Sequence, residues 1–189
     1  VEYGKVEINV RPLFTPVVWA SFITGVSKEK HGVSGLHTWR SSFIDRLRNW
    51  SLNAPLPRII SKRLLRESVL ESLGIKPRFY VKSDIRVPTI FDYVEKHIAI
   101  SVPSYNEDPV NEILQRKETE ALSSGNRKRM KETEELAWRI FIEERKRVLD
   151  SLEQDWEIFM AHFYTLDPLQ HLFWYDAERI SQAYQEMDN

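Results

Sequence analysis

The run Trp156–Trp174, WEIFMAHFYTLDPLQHLFW, decides how this chain is read. Its first part, Trp156 to Leu166, is the most hydrophobic stretch of the sequence and has the unbroken apolar character of a central strand buried on both faces. Asp167 and Pro168 then end the strand and open a helix, since proline's fixed φ suits a first helical turn. Strand, polar cap, helix is the rhythm of a parallel α/β sheet. Asp167 and His171 are four apart, so a helix puts both on one face as a possible pair of ligands for a divalent ion. The structural alternative stays open beside it, because an Asp cap with a nearby His is common and a zinc site needs at least three protein ligands. Leu172, Phe173 and Trp174 predict an apolar wall next to His171, which suits either a dry metal site or a packed core histidine. His162, inside the strand, reads as a satisfied core histidine.

The same grammar appears near the other end, in TPVVWASFITG, Thr15 to Gly25. The Thr15 hydroxyl is expected to cap the helix, Pro16 to set its first turn and Gly25 to stop it. A hydroxyl at a helix N-terminus lies where amides and dipole favour negative charge, so Thr15 is a candidate nucleophile as well as a plain cap. In parallel sheets sites gather where strands end and helices begin, which would bring the Thr15 hydroxyl and the Asp167 carboxylate to one crevice. Trp19 and Phe22 read as core. The glycine-bearing stretch that follows, through His31, His37, Trp39 and Arg40, reads as a long loop. Its His37, Trp39 and Arg40 either meet substrate or pack the loop.

Between these ends, Glu7 to Leu13 suggests a strand broken at Pro12, and Ile59 to Leu73 an amphipathic helix closed by Gly74. RFYVKSDIRVPTIFDYVEK reads as an irregular strand and a short helix after Pro88, and His97 to Pro103 as a strand followed by a turn-rich loop. Residues 111–153 form a charge-dense helical insertion, split near Ser123, Ser124 and Gly125, with an apolar stripe of Ala137, Phe141, Val148 and Leu152. Its basic run NRKRMK, Asn126 to Lys131, reads as a solvated helix face because Glu132, Glu134 and Glu135 follow at once.

A chain of 189 residues, 42% apolar and 12% aromatic, is expected to fold as one α/β domain, residues 1–189. Its net charge of −1 gives no general pull toward nucleic acid or an anionic membrane, so recognition of a phosphate has to be local. The absence of cysteine excludes a disulfide framework, thiolate zinc ligands and a cysteine nucleophile. No apolar run approaches the ~20 residues of a bilayer span and the start is not a signal peptide, so the expected location is cytoplasmic.

TPVVWASFITGVSKEKHGV resembles the nucleophile segment of the type I phosphodiesterase and nucleotide pyrophosphatase family, in which a threonine precedes a helix ending in TG and then an HG turn. Thr24 and Gly25, then His31 and Gly32, stand where that pattern needs them. FYTLDPLQHLFW is similar to the family's strand that ends in an aspartate, three residues, and a histidine, and SVPSYNEDPVN to the segment between the two motifs. The ordered set spans most of residues 10–175.

The resemblance implies a three-layer alkaline-phosphatase-like fold with a mostly parallel sheet. It implies a phosphoesterase whose partner is a small-molecule phosphate ester, and two divalent metal ions, zinc first among them. Thr15 matches the nucleophile, which also touches metal; Asp167 and His171 match two ligands of one ion; His31 matches a structural motif residue. Three departures accompany it. No strand ending in an aspartate is seen before Thr15, no adjacent aspartate and histidine follow His171, and Val18 stands where nucleotide-cleaving members often carry asparagine. The expectation is therefore of part of a larger set of metal ligands, with a fragment of a longer chain as the simplest account. The rivals are a catalytically inert α/β binding module and a phosphomutase of the same superfamily, which normally favours serine at the Thr15 position.

Overall fold

The computed structural model describes residues 13–39 and 77–188. The expected helix Ile59–Leu73, most of the expected strand before Leu13, and Arg40 lie outside the described residues.

Helix α1, Thr15–Thr24, starts one residue earlier than its sequence suggests. Phe14 is the cap residue, with its carbonyl accepting the amides of Val17 and Val18 at 3.0 and 3.1 Å. Thr15 is therefore already inside the first turn, and its hydroxyl makes no capping bond, contrary to expectation. Gly25, at φ 67°, closes the helix and donates to the Ser21 carbonyl. The expected open loop then contains a single helical turn, α2, Lys28–His31. Gly32 ends it at φ 85°, and a Cβ there would lie 2.8 Å from the Nε of Arg86. Only glycine satisfies both the backbone angle and that close approach.

Two-residue strands β1, Thr38–Trp39, and β2, Pro77–Arg78, pair antiparallel. Short 3-10 turns follow at Lys82–Asp84 and Ile90–Tyr93, the second where a short helix after Pro88 was expected. Strand β3, His97–Ile100, pairs in parallel with β4, Ile158–Ala161, from His97 opposite Ile158 to Ile100 opposite Ala161. The chain between them is a helical crossover. Helix α3, Pro109–Ser124, is capped by the Asp108 carboxylate, and α4, Arg127–Leu152, by the Asn126 side chain, on either side of Gly125. Parallel strands joined through helices make this an α/β fold, as expected.

The strand expected over Trp156–Leu166 is shorter than its hydrophobicity implies. Only Ile158–Ala161 is extended, every residue of it half-buried, and Leu166 already belongs to helix α5, Leu166–Phe173. Ile158 and Met160 pack on a cluster of Ile23, Phe91, Val102 and Tyr105, while Phe159 meets Trp156 at 5.5 Å between ring centroids. Apolar residues thus serve side-chain packing beyond the strand as well as within it.

Helix α6, Ala177–Asp188, completes a second core, in which Leu114 and Ala121 of α3, Ala137 and Ile140 of α4, and Leu169, Leu172 and Phe173 of α5 are buried together with Ala183. The stripe on α4 fades toward its end: Ala137 and Phe141 are buried, Val148 is half-buried and Leu152 is exposed. Trp19 is half-buried, whereas Phe22 is 65% exposed and so is not core. No helix among the described residues is long and apolar enough to cross a membrane.

Candidate active site

The turn after β3 reaches the first turn of α1 through Ser104 and Pro16, and α5 begins shortly after the carboxyl end of β4, the end at which open parallel sheets bind ligands. Thr15 is exposed there, and nothing among the described residues hydrogen-bonds its hydroxyl. The first turn of α1 offers few free donors, because Pro16 has no amide hydrogen and those of Val17 and Val18 serve the Phe14 carbonyl. What the turn lends an anion is mainly its dipole. Behind it, the buried Ser104 donates its hydroxyl to the Pro16 carbonyl at 2.9 Å.

Asp167 lies in the first turn of α5 and His171 one turn on. His171 Nε2 is 3.9 Å from Asp167 Oδ1, and both side chains are more than half exposed. On the other side of the ring, Nδ1 hydrogen-bonds Glu118 Oε1 at 2.6 Å, and the Glu118 side chain is only 7% exposed. The Glu118 hydrogen bond holds the His171 imidazole above its usual pKa. Burial raises the Glu118 carboxyl and the histidine pulls it back down.

This pair fits a divalent cation. A carboxylate on one ring nitrogen fixes the imidazole's orientation and leaves the other nitrogen to bind, the usual support for a metal-ligating histidine. Tetrahedral coordination with ~2.1 Å bonds separates two ligand atoms by roughly 3.4 Å, so Nε2 and Oδ1 have about half an ångström to close. Among the described residues no three His, Asp or Glu side chains converge as a complete metal cluster. The expected dry wall is absent, since Leu172 and Phe173 turn into the core while Trp174 is 79% exposed.

Thr15 is not joined to Asp167 or His171 by a hydrogen bond or ion pair. What links the two sides is His162, just past β4, whose ring meets Trp19 of α1 edge-on at 5.4 Å and feels the Asp167 charge. His162 is half-buried and only partly satisfied: its ring interacts with the Ser101 backbone, while its Nδ1 is buried without a hydrogen-bond partner among the described residues. Burial lowers its pKa, partly offset by Asp167.

The remaining candidates are structural in their contacts. His31 is fully buried; its Nδ1 accepts the Val33 amide at 3.1 Å, which leaves Nε2 to donate to Ser21 Oγ at 3.0 Å. His37 stacks on Phe79 and hydrogen-bonds Gln115 at 2.7 Å. The basic run at the start of α4 is solvated, with Lys128 and Lys131 facing Glu132 and Glu135 one turn on.

Glu118, Glu144 and Ser104 were not read from the sequence as site residues. A signal for the first was present, since Asn111, Leu114, Glu118 and Ala121 form the buried face of α3 at helical spacing, and a carboxylate on such a face needs a partner.

The family model for type I phosphodiesterase / nucleotide pyrophosphatase matches residues 3–189. The chain belongs to that family. No curated protein and no solved structure matches it. The family acts on small phosphate esters and is generally metal-dependent, which accords with a carboxylate and an oriented histidine at the end of a parallel strand.

Proposed function

We propose that this chain hydrolyses small phosphate esters of the phosphodiester or nucleotide pyrophosphate type, with Thr15 as nucleophile and Asp167 and His171 as ligands of a divalent ion. The observation that carries the reading is the His171 ring, held by Glu118 through Nδ1 so that Nε2 is left beside the Asp167 carboxylate. Thr15 supports it by standing exposed at the start of a helix, its hydroxyl without a hydrogen-bond partner among the described residues.

In this reading the Thr15 oxygen bonds to phosphorus and gives up its proton as the bond from phosphorus to the leaving oxygen breaks. That oxygen departs on an alcohol from a diester or on a phosphate from a pyrophosphate with the proton balance closed, and water then releases the phosphorus group from Thr15. Two divalent ions, zinc first among them by the family resemblance, would when bound favour the ionised hydroxyl and neutralise charge at the phosphoryl oxygens. Asp167 and His171 hold one ion, Glu118 fixes the histidine's tautomer, and the α1 dipole favours the anionic substrate near Thr15. The charged helices α3 and α4 belong in this reading to one domain, and the setting is cytoplasmic.

The test is zinc content together with hydrolysis of bis-p-nitrophenyl phosphate. Activity that falls at least ~10³-fold in Thr15→Ala, with an unchanged circular dichroism spectrum, supports the nucleophile. Full activity in that variant removes it. An inert module is the second reading, favoured because the described residues hold no three-ligand cluster. Less than one zinc per chain with no diester hydrolysis would decide for it.

A further inference from the structure

The turn after β3 holds two serines in left-handed backbone, Ser101 at φ 52° and Ser104 at φ 66°. For residues other than glycine this conformation is costly and persists where the surroundings over-determine it. Here they do. Ser101 donates its hydroxyl to the buried Glu144 carboxylate at 2.5 Å. Asn106 accepts the Val102 amide at 3.0 Å and donates to the Ala99 carbonyl at 2.6 Å, and the Tyr105 carbonyl accepts the Lys82 amide at 2.8 Å. The turn is pinned at both ends, and from it Ser104, fully buried, donates its hydroxyl to the Pro16 carbonyl of α1 at 2.9 Å.

That bond falls on the residue after Thr15. Helix α1 begins on Phe14 with no side-chain cap, so its first turn lacks the usual device that stops fraying. Among the described residues the Thr15 side chain makes no hydrogen bond. We propose that Ser104 is a positioning residue, whose hydroxyl fixes the first turn of α1 and thereby the attitude of the Thr15 hydroxyl toward the phosphoryl group. This rests on Thr15 being the nucleophile. A rigid turn behind the attacking group is worth having because a misplacement of about 1 Å can cost on the order of 10²-fold in rate. Ser104 does not touch substrate; it acts through Pro16.

Ser104→Gly separates positioning from folding. Glycine relaxes the left-handed backbone, so the melting temperature holds or rises, yet the hydroxyl is gone. With zinc and bis-p-nitrophenyl phosphate, kcat should fall about tenfold or more while KM stays within about twofold. Amide exchange at Val17 and Val18 should quicken about tenfold, with α3 and α4 unchanged. A kcat within twofold of the parent overturns the proposal, as does a kcat loss that comes with a lower melting temperature. Should Thr15→Ala keep full activity, or the parent show none, the nucleophile reading fails by itself. The exchange measurement then still judges Ser104, and unchanged exchange at Val17 and Val18 overturns its role.

Discussion

Glu107, in the loop before α3, is half-buried near Glu112 of α3 and Glu144 of α4. Burial first, and then those two charges, push its carboxyl from 4.5 up to about 8. A carboxyl raised in the folded state keeps its proton where the unfolded chain has lost it, so stability falls as pH climbs between the two values. Below about pH 4.5 both states are protonated and the group is neutral in effect; above about pH 8 its full cost is present. Glu107→Gln removes the titration and keeps the shape. The span from 4.5 to 8 at 1.36 kcal/mol per unit sets a ceiling of about 5 kcal/mol. Partial exposure and relaxation of the neighbours reduce this to about 1–2 kcal/mol, or roughly 2–8 °C in melting temperature for a domain of this size. Thermal melts of parent and variant at pH 5 and pH 9 read it directly. The variant should match the parent at the lower pH and exceed it at the higher. Parallel curves across that range would refute the assignment of a buried, proton-holding carboxyl.

Two further substitutions probe particular contacts. Gly32→Ala places a Cβ against Arg86 at positive φ, so a loss of about 1–3 kcal/mol is expected in denaturant unfolding, and a neutral result would mean that the α2 end adapts freely. Glu118→Gln should weaken zinc binding by about 10–100-fold, measured by competition with a chromophoric chelator, and equal affinity would exclude Glu118 as support for His171.

Helix boundaries were the most legible part of the sequence, because Gly25, Gly125 and the Pro16 start act locally, although the first crossover helix begins at Pro109, two residues before the expected start at 111. The buried strand was over-read. Hydropathy does not distinguish Phe159, which packs on Trp156, from Ile158 and Met160, which face the core, nor does it see that Leu166 begins a helix. For the site, spacing put Asp167 and His171 on one helical face, and that is what the structure has. The partner that makes His171 a credible ligand lies fifty-three residues away on α3. Ser104 meets Pro16 across eighty-eight residues. No period or motif reports such contacts, because they join elements far apart in the sequence.

That crossover changes what the charged segment is for. Its outer faces carry the exposed lysines and glutamates that mark it as solvated, but its inner faces carry one buried carboxylate on each helix. Glu118 of α3 reaches His171, on the side that would hold metal. Glu144 of α4 reaches Ser101, whose turn holds the start of α1 through Ser104. A carboxylate kept at a packed helix face costs stability unless it is partnered, and each of these has one oxygen committed to a site-bearing element. The two helices therefore brace the Thr15 side and the His171 side separately, so a substitution at Glu144 should disturb Thr15 and leave His171 in place, while one at Glu118 should do the reverse.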